Sequence, residues 1–258
     1  MFDLAAYMFG LATLIGLTLL IWVASLVRRD AGIIDLFRSL TFIVAAIVYA
    51  STTDAPSGVR TTLTLALVTV WGLRLSGYLT WRNWGEPEDY RYLRMRERGG
   101  PTWPYRNLLT VFWGQGVVAW LVSAPLLAAV DGSDDPGWLA FVGLAAWAVG
   151  LFFEAVGDWQ LSLFKGDPAN QGKVLDSGLW GLTRHPNYFG DFMVWWGLFL
   201  VAADAGGWWS VFGPIVMSFM LMRVSGVTPL ERKLTRTRIG YDEYVRTTNA
   251  FFPGPKRS

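Results

Sequence analysis

Seven apolar runs organise the chain: residues 4–27, 33–50, 62–81, 108–130, 138–156, 192–203 and 208–222. A bilayer core is crossed by about 20 apolar residues of helix, and five of the runs approach that length. The last two are shorter and are separated by Gly206 and Gly207, which predicts a tight hairpin. The first run is too long for a cleavable signal peptide and opens Met1-Phe2-Asp3 without a basic start. The pattern predicts an all-α fold, a seven-transmembrane helix bundle, forming one membrane domain over residues 1–258 with no repeat and no separate soluble domain.

The polar positions between the runs give the bundle a direction. Arg28 and Arg29 follow the first run. Arg82, Arg91, Arg94, Arg96, Arg98 and Arg106 lie between the third and fourth, and Lys165, Lys173 and Arg184 between the fifth and sixth. Arg223, Arg232, Lys233, Arg236, Arg238, Arg246, Lys256 and Arg257 follow the seventh. With seven spans these segments share one side. The other side holds Arg60, Asp54, Asp131, Asp134, Asp135 and Asp204. Basic loops stay inside, so the N-terminus is expected outside and the C-terminus in the cytoplasm.

Composition agrees with a lipid environment. Charged residues make up 16% of the chain, against about 25% in soluble domains. The fifteen tryptophans suit membrane–water interfaces, where an apolar ring and a polar N–H are both accommodated. With no cysteine and a single histidine, His185, disulfides, thiolate zinc, a cysteine nucleophile and a His-based metal site are excluded. No metal and no nucleic-acid partner are expected. Membrane lipids and a lipophilic small-molecule substrate are.

Charges inside a span are costly and mark an interior or a cavity. Asp35 and Arg38, three apart, share a face of the second span. Arg74 lies in the third. Glu154 and Asp158, four apart, end the fifth, and Asp191 opens the sixth. Two readings stay open for each group: mutual neutralisation or contact with the interface on one hand, and a site on the other. The stretch 85–100, GEPEDYRYLRMRERGG, is either a solvated face or part of an electropositive vestibule for anionic headgroups or a phosphate-bearing cofactor.

The densest chemistry lies in residues 177–191, SGLWGLTRHPNYFGD. Arg184 and His185 offer hydrogen-bond donors, and Pro186 sets the turn into a helix. Asn187 can meet an amide, Tyr188 can donate or stack, and the helix start favours an anion. A capped interfacial turn is the alternative.

This run, with Trp71-Gly72-Leu73-Arg74 in the third span and Gly240-Tyr241-Asp242-Glu243-Tyr244 in the tail, resembles the steroid 5α-reductase family. Nearly the whole chain is similar to its bacterial DUF1295 branch. Double-bond reductases of sterols have a similar run. Methyltransferases of the isoprenylcysteine and phospholipid types, which use S-adenosylmethionine, have a cousin of it.

The resemblance implies a seven-helix membrane enzyme with NADPH held mainly by residues 154–258, with contributions from 74–106. By position in the motif it assigns Asn187 and Asp191 to the nicotinamide end, Asp158 to a further cofactor contact and Lys165 and Lys173 to the phosphates. Arg74 approaches from the third helix. Arg184, His185 and Tyr188 belong to the signature, and Glu231 and Tyr241 to a segment that closes over the cofactor. Animal members polarise the substrate ketone with a Gln-Glu pair on the second helix and a Tyr on the third. Here the corresponding residues are Ile34-Asp35-Leu36 and Trp71, which leaves Asp35 and Tyr78 as catalytic candidates. The expected reaction is NADPH-dependent reduction of a C=C bond conjugated to a carbonyl, in a bacterial inner membrane. The alternatives are a membrane methyltransferase and a non-enzymatic lipid-binding or transport protein.

Overall fold

A computed structural model describes residues 2–53, 58–132, 135–224, 226–238 and 240–257. Asp54, Asp134 and the side chain of Lys233 lie outside what is described. In order, the helices are α1 (Leu4–Arg28), α2 (Ile33–Thr52), α3 (Val59–Asn83), α4 (Tyr90–Gly99), α5 (Trp103–Asn107), α6 (Gly114–Val122), α7 (Ala124–Val130), α8 (Trp138–Gly166), α9 (Pro186–Asp204), α10 (Phe212–Phe219), α11 (Val227–Thr237) and α12 (Tyr241–Thr247). Among the described residues there is no strand.

Several apolar helices mark a multi-pass membrane protein. Four of them, α1, α2, α3 and α8, are long and apolar enough to cross a bilayer. The stretch Tyr90–Val122 with Ala124–Val130, bent by 42°, makes a fifth if taken as one span. Length and composition alone thus mark four or five of the seven expected spans. The sixth run lies in the 19-residue α9, whose first turn is polar. The seventh is the stretch Trp208–Val224, a 3-10 turn, a short helix and a π turn. At about 1.5 Å per residue it stands at the short end of the range that crosses a hydrocarbon core of about 30 Å.

The chain forms two compact units. The first comprises Met1–Ala140 and Val201–Gly213. Here α1, α2 and α3 pack as consecutive neighbours. Gly72 permits the α2–α3 approach, since a Cβ there would lie 3.1 Å from the Ser39 carbonyl oxygen, and Ser39 Oγ donates to Gly72 O at 2.9 Å. Exposed Leu4, Phe9, Leu20 and Val27 on α1 are surface that a bilayer covers. The charged stretch after α3 is a helix, not a loop: Asp89 caps α4 by accepting from Arg91 N at 2.8 Å, and Gly100, at φ 53°, ends it. Arg60, expected on an exposed loop, is 1% exposed. It donates to Asp204 Oδ2 at 2.7 Å, Asp135 O at 2.8 Å and Val201 O at 3.2 Å.

The second unit comprises Phe141–Leu200 and Pro214–Ser258. Its frame is α8 against α9, brought together by glycines. A Cβ on Gly190 would lie 2.5 Å from Glu154 N and from Gly150 O. One on Gly197 would lie 2.6 Å from Gly143 O, and one on Gly150 would lie 2.6 Å from Gly190 O. Backbone therefore meets backbone along the interface, and Glu154 and Asp158 are buried within it at 2% and 4% exposure. The reading that these two acids merely reach the membrane surface is thereby corrected.

Candidate functional site

The second unit holds every residue that the resemblance assigned to a cofactor except Arg74. Three local devices assemble them. The first is the entry to α9. Pro186 at its first position supplies the helical φ and lacks only an N–H that needs no partner there. The first helical hydrogen bond runs from Phe189 N to His185 O at 2.9 Å. Asn187 Nδ2 donates to Asp158 Oδ1 at 3.1 Å, and Asn187 Oδ1 accepts from Tyr188 N. One helix away, the Trp180 indole N–H donates to Gly157 O at 3.0 Å, which fixes that ring beside the Asp158 turn.

The second device is a clamp on the tail. Arg184 donates to Glu231 Oε1 at 2.7 Å, Thr248 O at 2.8 Å and Val245 O at 3.0 Å, so one guanidinium ties α11 and α12 to the turn before α9. His185 Nε2 lies 3.0 Å from the same Glu231 oxygen. An ionised carboxylate only accepts, so this nitrogen carries the proton. The backbone adds Arg184 N to Asn249 O, Gly254 N to Leu182 O and Thr183 Oγ1 to Phe251 O. His185 also stacks on Tyr188.

The clamp shapes its own titration. Burial works to raise the Glu231 pKa, but hydrogen bonds from His185 and Arg184 and the Arg184 charge outweigh it and hold the carboxyl below its ordinary value. Stability from this group is present above the unfolded value, about 4.3, and is lost as pH falls through the folded value. Glu231→Gln is therefore expected to lower stability at neutral pH by about 1–2 kcal/mol. Thermal unfolding across a pH series should show the gap between variant and wild type closing as pH falls below about 4. A gap independent of pH would mean that the carboxylate charge does not hold the clamp.

The third device is a cavity of about 540 Å³, within the usual range of ligand pockets. Its wall comes from the end of α8 (Leu161, Phe164, Lys165), the loop 167–175 including Lys173, then Trp180, Arg184, α11 with Arg238 just beyond it, and Tyr241 and Tyr244. Four basic side chains and four aromatic rings thus face one space. Burial and the Glu231 charge push the Tyr241 phenol up to about 12. Burial and neighbouring Tyr241 push Tyr244 up as well. Both are neutral hydrogen-bonding groups at physiological pH, and Tyr244 OH donates to Trp180 O at 2.6 Å. Three buried polar atoms around the clamp, His185 Nδ1, Tyr241 Oη and Thr248 Oγ1, have no hydrogen-bond partner among the described residues. Buried polar groups are seldom left so, and Tyr241 opens on the cavity.

Of the expected cofactor residues, the structure brings Lys165, Lys173, Arg184 and Tyr241 to the cavity. It sets His185 and Glu231 in the clamp with Tyr188 stacked on His185, joins Asn187 of α9 to Asp158 of α8, and buries Asp191 on α9. Trp180, Arg238 and Tyr244 were missed as site residues. Trp180 and Tyr244 stood in the quoted motifs without a role, and Arg238 was one basic tail residue among many.

The remaining candidates lie in the first unit. Asp35, grouped with Arg38 in the sequence, accepts from Arg91 Nη2 at 3.0 Å and Tyr92 Oη at 3.1 Å. Its tyrosine partner is thus Tyr92 of α4. Tyr78 carries Arg74 and Arg82 over its ring, at 5.7 and 5.5 Å. Gln115 Nε2 donates to Tyr92 Oη at 3.4 Å. Among the described residues no group of three or more His, Cys, Asp or Glu is arranged to hold a metal ion.

Comparison with known proteins adds a family and one partial relative. The family model described as "Protein of unknown function (DUF1295)" matches residues 21–248, which takes in the entry to α9, the Arg184–Glu231 pair and the cavity wall. A curated protein from Ustilaginoidea virens, named as a probable O-methyltransferase, is 43% identical over 53 residues. That segment is 20% of this chain and 18% of the relative, so the chain matches less than a fifth of the relative's length. No solved structure matches.

Proposed function

The chain belongs to the DUF1295 family, which is related to steroid 5α-reductase-like proteins, and from that premise we propose a membrane-embedded, NADPH-dependent reductase acting on a C=C bond conjugated to a carbonyl in a lipophilic substrate, of the 3-oxo-Δ4-steroid type or similar. The observation that carries this reading is the cavity lined by Lys165, Lys173, Arg184 and Arg238 together with Trp180, Tyr241 and Tyr244. Cations in that number suit a ligand with several phosphate charges, and the rings suit a nucleotide base. The buried atoms of His185 and Tyr241 that lack partners add hydrogen-bonding capacity next to it. Bound there, NADPH supplies a hydride.

The chain's own residues bind and orient. Lys165, Lys173 and Arg238 neutralise phosphate, and Arg184 anchors the tail that forms one wall. Asn187, held by Asp158, presents its amide at the start of α9, with Asp191 one turn on. The candidate catalytic residues Asp35 and Tyr78 belong to the first unit, where the Asp35 carboxylate accepts from Arg91 and Tyr92 and so orients the Tyr92 phenol instead of acting as the acid itself. The reading includes seven spans, with α9 and residues 208–224 as the last two, a cytoplasmic C-terminus and a bacterial inner membrane.

The partial match to a methyltransferase-named protein keeps S-adenosylmethionine as a second reading. That cofactor has no phosphate for Lys165, Lys173 and Arg238 to neutralise. Thermal shift of the purified protein in detergent separates the two. Stabilisation by NADPH and not by S-adenosylmethionine is expected, reduced at least about tenfold in apparent affinity by Lys173→Gln with Arg238→Gln, since each charged hydrogen bond is worth about 1.5–3 kcal/mol. Stabilisation by S-adenosylmethionine alone would sink the reductase reading.

A further inference from the structure

We propose that α4 is an interfacial helix whose outward arginines, Arg94 and Arg98, form with Arg28 a binding surface for anionic phospholipid headgroups. The argument starts from where α4 is held. Helices α1, α2 and α3 are each long and apolar enough to span a bilayer. The α1–α2 turn and the end of α3 flank the segment that carries α4. Glu88 Oε1 accepts from Ala31 N in that turn at 2.7 Å, and Arg96 Nη2 donates to Glu88 at 2.9 Å and to Arg29 O at 3.1 Å. Tyr92, buried against Ile33 and Ile34, faces the same way. Helix α4 is therefore pinned beside the turn between two spanning helices, at the level where hydrocarbon gives way to headgroups.

The cations of this surface fall into two sets. Arg91 and Arg96 are taken up by Asp35, Asp89 and Glu88. Arg28, Arg94 and Arg98 make no ion pair among the described residues. Instead Arg28 lies over the Trp84 ring at 5.7 Å and Arg94 over the Tyr90 ring at 5.6 Å, and Arg98 is exposed. A guanidinium over a ring keeps its N–H edge open to an anion. The aromatic residues of the flanking segments are left uncovered: Trp81 and Trp84 at the end of α3 and Tyr105 in α5 are each about 70% exposed. Exposed tryptophan and tyrosine beside unpaired arginine is the composition of a membrane–water interface, and each arginine near an anionic leaflet contributes about 1 kcal/mol of attraction. Glu86 and Glu97 are the exposed acids of this segment. The proposal does not depend on the reductase reading.

The test uses the full-length protein in nanodiscs of phosphatidylcholine and phosphatidylglycerol in equal parts, with retained lipids counted by native mass spectrometry. Wild type is expected to retain phosphatidylglycerol in several-fold excess. Arg28→Gln with Arg94→Gln and Arg98→Gln should lose that excess. Arg232→Gln with Arg236→Gln, on exposed positions of α11, should keep it. The corresponding triple lysine variant, which preserves charge, should keep most of it and guards against a folding defect in the glutamine variant. Equal retention of the two lipids by wild type, or undiminished excess in the folded glutamine variant, would overturn the proposal. So would release of the lipid by millimolar inorganic phosphate, which would mark a small-anion site instead.

Discussion

Arg60→Met is expected to destabilise the protein by about 3–5 kcal/mol, while Arg60→Met combined with Asp204→Leu recovers part of the loss. The reasoning is that of a buried ion pair. The two side chains are 1% and 8% exposed and meet at 2.7 Å. Removing arginine alone leaves a carboxylate in a place that water hardly reaches, with Gly137 N as a remaining donor at 2.7 Å. It also strands the Asp135 and Val201 carbonyls that Arg60 serves. Uncompensated buried charge costs that much, whereas replacing both partners by apolar groups of similar volume is often neutral. Thermal unfolding in detergent of wild type, both single variants and the double variant gives the coupling directly. Equal losses for Arg60→Met and the double variant would show that the carboxylate is not what the arginine serves.

That pair illustrates what a sequence can and cannot carry. The apolar runs located the helices well, because about 20 consecutive apolar residues have few other stable forms. They were silent on pairing across distance: Arg60 and Asp204 are 144 positions apart, and each was legible only as a charge beside a span. Local polar signals behaved similarly. Asp35 and Arg38 share a helical face, and sequence spacing joins them. The structure gives Asp35 to Tyr92 and Arg91, which required knowing that residues 90–99 are a helix pinned beside α2. The SGLWGLTRHPNYFG run was legible as a site because its residue types are improbable in lipid. Its division into a clamp (Arg184, His185) and a face against α8 (Asn187) was not, because Glu231 is supplied by a separate helix. Span number was the least secure element. A 17-residue stretch with 3-10 and π ends has the composition of a span at the short end of the spanning length.

Gly190→Ala is expected to cost about 3 kcal/mol and, on the reductase reading, to lower NADPH affinity at least about tenfold. Overpacking by one methyl usually costs about 1–3 kcal/mol, and more where the neighbours cannot yield. Here the added carbon would stand 2.5 Å from Glu154 N and from Gly150 O. These are backbone atoms of a long helix, which cannot turn aside as a side chain can. Helices α8 and α9 must separate instead, and the first casualty is the Asn187–Asp158 hydrogen bond, 3.1 Å long and one turn away on the same interface. Displacement of a positioning group by about 1 Å is enough for a large functional loss. Gly77→Ala is the control, since a Cβ there meets nothing within 4 Å and alanine in a helix is favoured over glycine by about 1 kcal/mol. It should leave stability unchanged or raised. Thermal unfolding and NADPH titration of both variants decide the matter. A Gly190→Ala protein with wild-type stability and affinity would mean that backbone contact between α8 and α9 is not what holds Asn187 in place.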